Sequence, residues 1–232
     1  MTPMTLPDPS GTKPRIFTCL VLAICVLGAA LIAARVSHWS GYWSIGAANA
    51  LSATSVEVSV GKAGFRLPAA FIATPSQQDR ALSRDGRFRT LRLLMTWPGL
   101  TPDRTSYGFA GKTILVELDS DTGKESLRAR LEPFYRRLAR GGELLGPDGL
   151  KILTLSARGA STTDLIAYDP DTPDGFIARC LKKSPAEEPV CHRAVTLSKG
   201  LELRYRFDQS LLPHWREIEP ALVARIEGFR KS

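Results

Sequence analysis

A run of nineteen uncharged residues near the N-terminus, Ile16 to Ala34 (IFTCLVLAICVLGAALIAA), constrains this chain more than any other feature. As a helix rising about 1.5 Å per residue it reaches about 28 Å, against a hydrocarbon core of about 30 Å. A helix also satisfies its own backbone donors and acceptors, which lipid cannot do. The sequence therefore predicts a transmembrane helix over 16–34, with the lipid bilayer as the chain's first partner. Lys13, Arg15 and the terminal amine precede the run and Arg35 alone follows it. That basic excess keeps 1–15 as a cytoplasmic tail and exports the remainder. Trp39, Tyr42 and Trp43 fall just past the far end, where amphipathic rings favour the head-group layer.

The competing reading is a cleaved signal peptide, because Ala48-Asn49-Ala50 has the small-x-small form of a cleavage site. It stands fourteen residues past the apolar run, which is itself longer than a signal core usually is, so an uncleaved signal anchor is the expectation. Leu22-Ala23-Ile24-Cys25 loosely resembles a lipidation box, but bulky Ile24 occupies the position that should be small. Cys19 and Cys25 are then apolar residues of the span.

Residues 35–54 are rich in Ser, Gly and Ala and read as a juxtamembrane linker, leaving 55–232 as one exported domain. Val56, Val58 and Val60 alternate with Glu57 and Ser59, the period of a strand with one buried face, and Gly61 to Gly64 turns into Phe65-Arg66-Leu67 as a hairpin. Residues 74–87 read as a polar loop, 88–97 as a strand stopped by Pro98-Gly99, and 98–112 as a second long loop. Ile114, Val116 and Leu118 mark another strand. Thr122 and Glu125 have capping-box spacing, and Leu127, Leu131, Tyr135 and Leu138 share one face of the helix that follows, with Pro133 placed to kink it.

Five more strands are expected at 151–155, 164–168, 175–180, 191–197 and 201–207. The last alternates Leu201, Leu203, Tyr205 and Phe207 with Glu202, Arg204 and Arg206. A closing helix carries Leu211, Trp215, Ile218, Leu222, Ile226 and Phe229 as an apolar stripe to be buried on the sheet. The fold class predicted is α+β: a mainly antiparallel sheet, a middle amphipathic helix and a C-terminal helix packed on the sheet, behind the N-terminal span.

Cys180 ends one predicted strand and Cys191 begins the next. If the two are antiparallel neighbours the thiols oppose each other, and an oxidising compartment joins them as a structural disulfide. No C-x-x-C is present, and His192 next to Cys191 belongs to the opposite sheet face.

Chemistry-bearing motifs are otherwise lacking. The chain has no G-x-S-x-G, H-E-x-x-H, P-loop or G-x-G-x-x-G, and three histidines in all. His38 belongs to the linker and His214 to the first turn of the last helix. The acidic clusters 119–125 and 169–175 lack EF-hand spacing; the second has Cys180 where a twelfth-position carboxylate belongs. Asp, Pro and Gly between strands are ordinary turn formers. No catalytic residue, cofactor or metal set is therefore assigned. Trp97, ending an apolar strand, reads as core. The net charge of +8 is spread along the chain, with Arg136-Arg137 and Lys182-Lys183 as its densest points. That is no nucleic-acid footprint, though it attracts anionic lipids and envelope polymers weakly.

The segments VEVSVGKAGFRLPAAFI, LRLLMTWPGL and FIARC, with PVCHRAVTLSKGLELRYRFDQSLLPHWREIEPAL, resemble a group of single-span, membrane-anchored periplasmic proteins of alphaproteobacteria. The resemblance covers most of 55–229. It implies a Gram-negative inner-membrane protein with a cytoplasmic N-terminus and a periplasmic domain, and it carries over no catalytic residue. The function expected is a non-catalytic interaction or accessory module of the cell envelope, meeting an envelope protein or an anionic envelope polymer, with loops 74–87 and 98–112 as its surfaces. The alternative is an envelope hydrolase or transferase acting on cell-wall or other periplasmic substrate, its site assembled from dispersed residues.

Overall fold

The computed structural model describes residues 14–40, 54–83, 85–102, 111–121, 126–155, 164–181, 189–198 and 200–231. The chain divides into two units, Met1–Ala47 and Ala48–Ser232. The first contains α1 (Pro14–Ser40), whose stretch Phe17–Arg35 has a mean hydropathy of 2.7 and is nowhere buried against protein. It is long and apolar enough to cross a membrane. Cys19 and Cys25 are free thiols on its surface.

The second unit opens with a hairpin. In β1 (Ser55–Val60) the three valines are buried while Ser55 and Glu57 are exposed, and β2 (Ala63–Pro68) adds buried Phe65 and Leu67 from across the ladder. Gly61 takes a φ of 58° at the turn, a conformation open to glycine at little cost. A short β3 (Arg87–Phe88) joins β1 in parallel at Ser59 and Val60, giving a sheet of order β2-β1-β3. Between these strands lies α2 (Pro75–Leu82), started by Pro75 in its first turn.

Among the described residues the main sheet has nine strands, all paired antiparallel. In chain order they are β4 (Thr90–Thr96), β5 (Thr101–Pro102), β6 (Thr113–Asp119), β7 (Leu144–Leu145), β8 (Lys151–Leu155), β9 (Asp164–Tyr168), β10 (Ile177–Leu181), β11 (Val190–Ser198) and β12 (Leu201–Asp208). Their spatial order is β5-β4-β6-β12-β11-β10-β9-β8-β7. One face presents Leu91, Leu93, Met95, Ile114, Val116, Leu118, Leu203, Tyr205 and Phe207 to the principal core. The hairpin and α4 (Trp215–Glu227), with Trp215, Ile218, Leu222 and Ile226 buried, close that core. The C-terminus is tied to the hairpin: Arg66 N–H donates to the Phe229 carbonyl at 2.7 Å and Lys231 N–H to that of Gly64 at 3.0 Å.

A smaller core on the other face joins Leu153, Ile166, Tyr168 and Ile177 to Leu131 and Tyr135 of α3. This helix consists of a π-turn, Leu131–Tyr135, running into an α-turn, Arg136–Leu138. Pro133 lacks the N–H of a regular ladder, and the Phe134 and Tyr135 amides both donate to the Arg130 carbonyl.

The α+β class and the mainly antiparallel sheet are as the sequence implies. Three local readings differ, those of residues 74–87, of Leu138 and of His214, while the expected β1–β2 hairpin forms. Residues 74–87 hold α2 where a loop was expected, because polar Gln78 turns inward and donates to the Ala69 carbonyl at 2.8 Å. The expected capping box at Thr122 lies outside the described residues, and Leu138, expected on the buried face of its helix, is exposed. The β1–β2 hairpin stands apart from the main sheet and covers its core. His214 ends a 3₁₀ segment, Gln209–His214, immediately ahead of α4.

Candidate binding site

Among the described residues, two of the clefts lie beside the principal core. The larger, about 620 Å³, follows β1 and is lined by Thr54 to Ser59, Gly64, Ala81, Leu82, Gly86, Arg87 and Lys231. Its floor is backbone. Ser59 N–H donates to the Gly86 carbonyl at 2.7 Å and Gly61 N–H to that of Phe88, so odd-numbered residues of β1 direct their polar groups towards β3. The pairing with β3 begins only at Ser59. By the alternation of a strand, the N–H and C=O of Ser55 and the N–H of Glu57 point into the open part of the groove, while the Glu57 carbonyl lies against Gly86. Half-exposed Leu82 and buried Ala81 of α2 form its apolar wall, and Arg87 its basic rim.

Glu57 stands on the exposed face of the same strand. Lys231 donates to one of its oxygens at 2.7 Å and Arg66 to the other at 2.6 Å, and these two cations hold its carboxyl down to about 2. The pair clamps β1, β2 and the C-terminus together.

The second cleft, about 430 Å³, lies between the β9–β10 turn and α4, with Asp169, Asp171, Asp174, Phe176, Trp215 and Glu219 among its lining residues. At its base Arg193 donates to both Glu219 oxygens at 2.7 and 3.1 Å, and the Tyr205 hydroxyl donates to one of them at 3.0 Å. Burial first, then the Glu219 charge, pushes the Tyr205 phenol well above its ordinary range. Arg193 also lies over the Phe176 ring. Glu219 is thus fully engaged in holding α4 to the sheet.

The acidic cluster 169–175 folds as the turn expected of it. Asp169 accepts from the Asp171 amide, and Arg128 donates to the Asp169 and Thr172 carbonyls. Of the cluster 119–125, Asp119 accepts from Arg204 at 2.9 Å and from the Asp121 amide, while 122–125 lie outside the described residues. Among the described residues no cluster suited to a metal ion occurs. His192 sits half-buried on the face opposite Cys191, and His214 beside the Trp97 ring; neither lines the two clefts. Trp97 is buried core. Cys180 and Cys191 oppose each other in register with their sulfurs bonded and their Cα atoms 3.8 Å apart.

Of the two expected surface loops, 74–87 does line the larger cleft, through Ala81, Leu82, Gly86 and Arg87, while 103–110 of the second lie outside the described residues. The open strand edge was not foreseen: alternation locates β1 but does not say which of its edges lacks a neighbour.

No protein-family model matches the chain, and no curated protein matches it. One solved structure similar to it is that of Smlt3025, an immunity protein of the Stenotrophomonas maltophilia type IV secretion system. The identity is 16%, 77% of this chain and 94% of that chain are covered, and the TM-score is 0.46.

Proposed function

We propose that this chain is a membrane-anchored module of the bacterial envelope that acts by binding a protein partner in the periplasm. In this reading α1 spans the inner membrane with the N-terminus in the cytoplasm, and the disulfide-clipped domain faces the oxidising side. The observation that carries the binding role is the groove beside β1. The groove-facing N–H and C=O of Ser55 and the N–H of Glu57, next to an apolar helix wall, suit an extended polypeptide segment that adds itself as a strand. The enzyme alternative would use the cleft at Trp215, where Glu219 already accepts from Arg193 and Tyr205.

The test is site-specific photocrosslinking from Leu82 in the full chain within its native membranes. A crosslinked protein that disappears in the Ser55→Pro variant, which removes one groove-facing donor at the first residue of the strand, supports the reading. Equal crosslinking in both chains, or none, defeats it. The anchor is read separately by protease: in spheroplasts the domain should be cleaved without lysis.

A further inference from the structure

Four large apolar side chains of the second unit stand in solvent at one end of the main sheet. Leu145 is 82% exposed and Leu144 56% on the edge strand β7, while Phe134 is 53% and Leu138 48% exposed on α3. A single exposed leucine needs no explanation, but four within one stretch of a dozen residues do. They are not loose ends. Leu131 and Tyr135 pin α3 to β8, β9 and β10, and Arg136 bonds Glu132, Glu143 and the Tyr168 hydroxyl, so the opposite side of the helix is held outward. Across the β7–β8 ladder Leu145 faces Lys151.

The charges around these side chains have one sign to spare. Arg136 pairs with both Glu132 and Glu143, neither Arg137 nor Arg140 has an acidic partner among the described residues, and the three arginines with Lys151 outnumber the two glutamates. Exposed leucines and a phenylalanine interleaved with arginines in net excess are the composition of a surface that rests in the head-group layer, apolar groups in the acyl boundary and cations among lipid phosphates. Arginine suits that boundary, since its stem is apolar and its head is not.

We infer that the end of the sheet formed by α3 and β7 docks on an anionic bilayer surface, with Phe134, Leu138 and Leu145, which share the α3 side of the sheet, inserted and Arg137 and Arg140 on the phosphates. This rests on the proposed anchoring through α1. The thirteen residues 41–53 span at most about 45 Å, so an anchored domain meets the head groups at high effective concentration and weak contacts suffice.

The experiment uses the full chain with Cys19→Ala and Cys25→Ala, an environment-sensitive fluorophore on Leu145→Cys, and reconstitution into vesicles. With phosphatidylglycerol present the probe should shift to the blue and be quenched by spin-labelled lipid. In pure phosphatidylcholine both effects should weaken, and Arg137→Gln with Arg140→Gln should lower the docked-to-free ratio on the order of tenfold. The same probe on Lys62→Cys should stay aqueous. A Leu145 probe that stays aqueous in both lipids, equal insertion at Lys62, or burial that requires added membrane proteins each overturns the inference. Flotation after a carbonate wash reads the anchor independently: a chain that washes off overturns anchor and docking together, and one that floats with an aqueous probe overturns docking alone.

Discussion

Arg193 and Glu219 form a two-point ion pair, 2.7 and 3.1 Å, between β11 and α4, with the arginine almost wholly out of solvent. The guanidinium replaces a position that in a regular strand of this register would be apolar, since its neighbours on the same face are Cys191 and Val195. Glu219→Ala strands that charge, and unfolding free energy should fall by about 3 kcal/mol in urea titrations. Tyr205→Phe, which removes one neutral donor from the same carboxylate, should cost about 1 kcal/mol. If Glu219→Ala costs no more than Tyr205→Phe, the pair is not what holds α4 down.

The disulfide should be worth measuring separately. Its cysteines are eleven residues apart in sequence, and in the chain-entropy account a loop of that size stabilises by about 2.5–3 kcal/mol through the unfolded state. Cys180→Ala with Cys191→Ala should lower the denaturation midpoint accordingly. Thiol labelling of the unfolded, unreduced chain should reach Cys19 and Cys25 only; modification of all four would show that the bond does not form in the cell.

Glu57 predicts a pH dependence of defined sign. Its carboxyl titrates near 2 in the folded chain against an ordinary 4.5. A depressed carboxylate adds stability that is complete above the unfolded value and is lost as pH falls through the folded one. The difference in Tm between wild type and Glu57→Gln should therefore be constant above about 4.5 and shrink towards about 2. Because Glu57, Arg66 and Lys231 are all exposed, salt should shrink it too. A difference that grows on acidification would mean that the Lys231 and Arg66 contacts do not govern this group.

These measurements probe parts of the fold that were unequally legible beforehand. Alternation exposes a strand wherever one face is buried and the other wet, which is why β1 and β12 stand out along the chain. It reports faces and not neighbours, so nothing in VEVSV says that β1 belongs to a separate small sheet with one edge open. α2 was invisible for a different reason. PSQQDRAL buries only Gln78 and Ala81, and the amide of Gln78 is satisfied by a carbonyl nine residues away that no local pattern announces. The α3 stripe misled in the opposite direction. Leu127, Leu131, Tyr135 and Leu138 share a face only on a regular helix, and the π-turn at Pro133 rotates Leu138 out into solvent. The candidate groove was therefore out of reach of sequence, while the disulfide, which depends on two local strands and a short loop, was not.

Gly86 supplies the most direct check on the groove. A Cβ built on it would stand 2.4 Å from the Glu57 carbonyl oxygen and 3.2 Å from Val58 Cα, both backbone atoms that cannot swing aside. Gly86→Ala should therefore push β3 from β1, lengthen the 2.7 Å bond from Ser59 N–H to the Gly86 carbonyl, and cost about 1–3 kcal/mol. The Ser59 amide should exchange with solvent faster while amides of β11 and β12 keep their rates, since they belong to the other sheet. Gly64 is the control: a Cβ there meets only the Lys231 side chain at 3.6 Å, an ordinary contact, so Gly64→Ala should leave Ser59 unchanged. Should Gly86→Ala match Gly64→Ala in both stability and exchange, β3 does not press against β1, and the groove loses the boundary that makes the edge at Ser55 and Glu57 a place for a strand to bind.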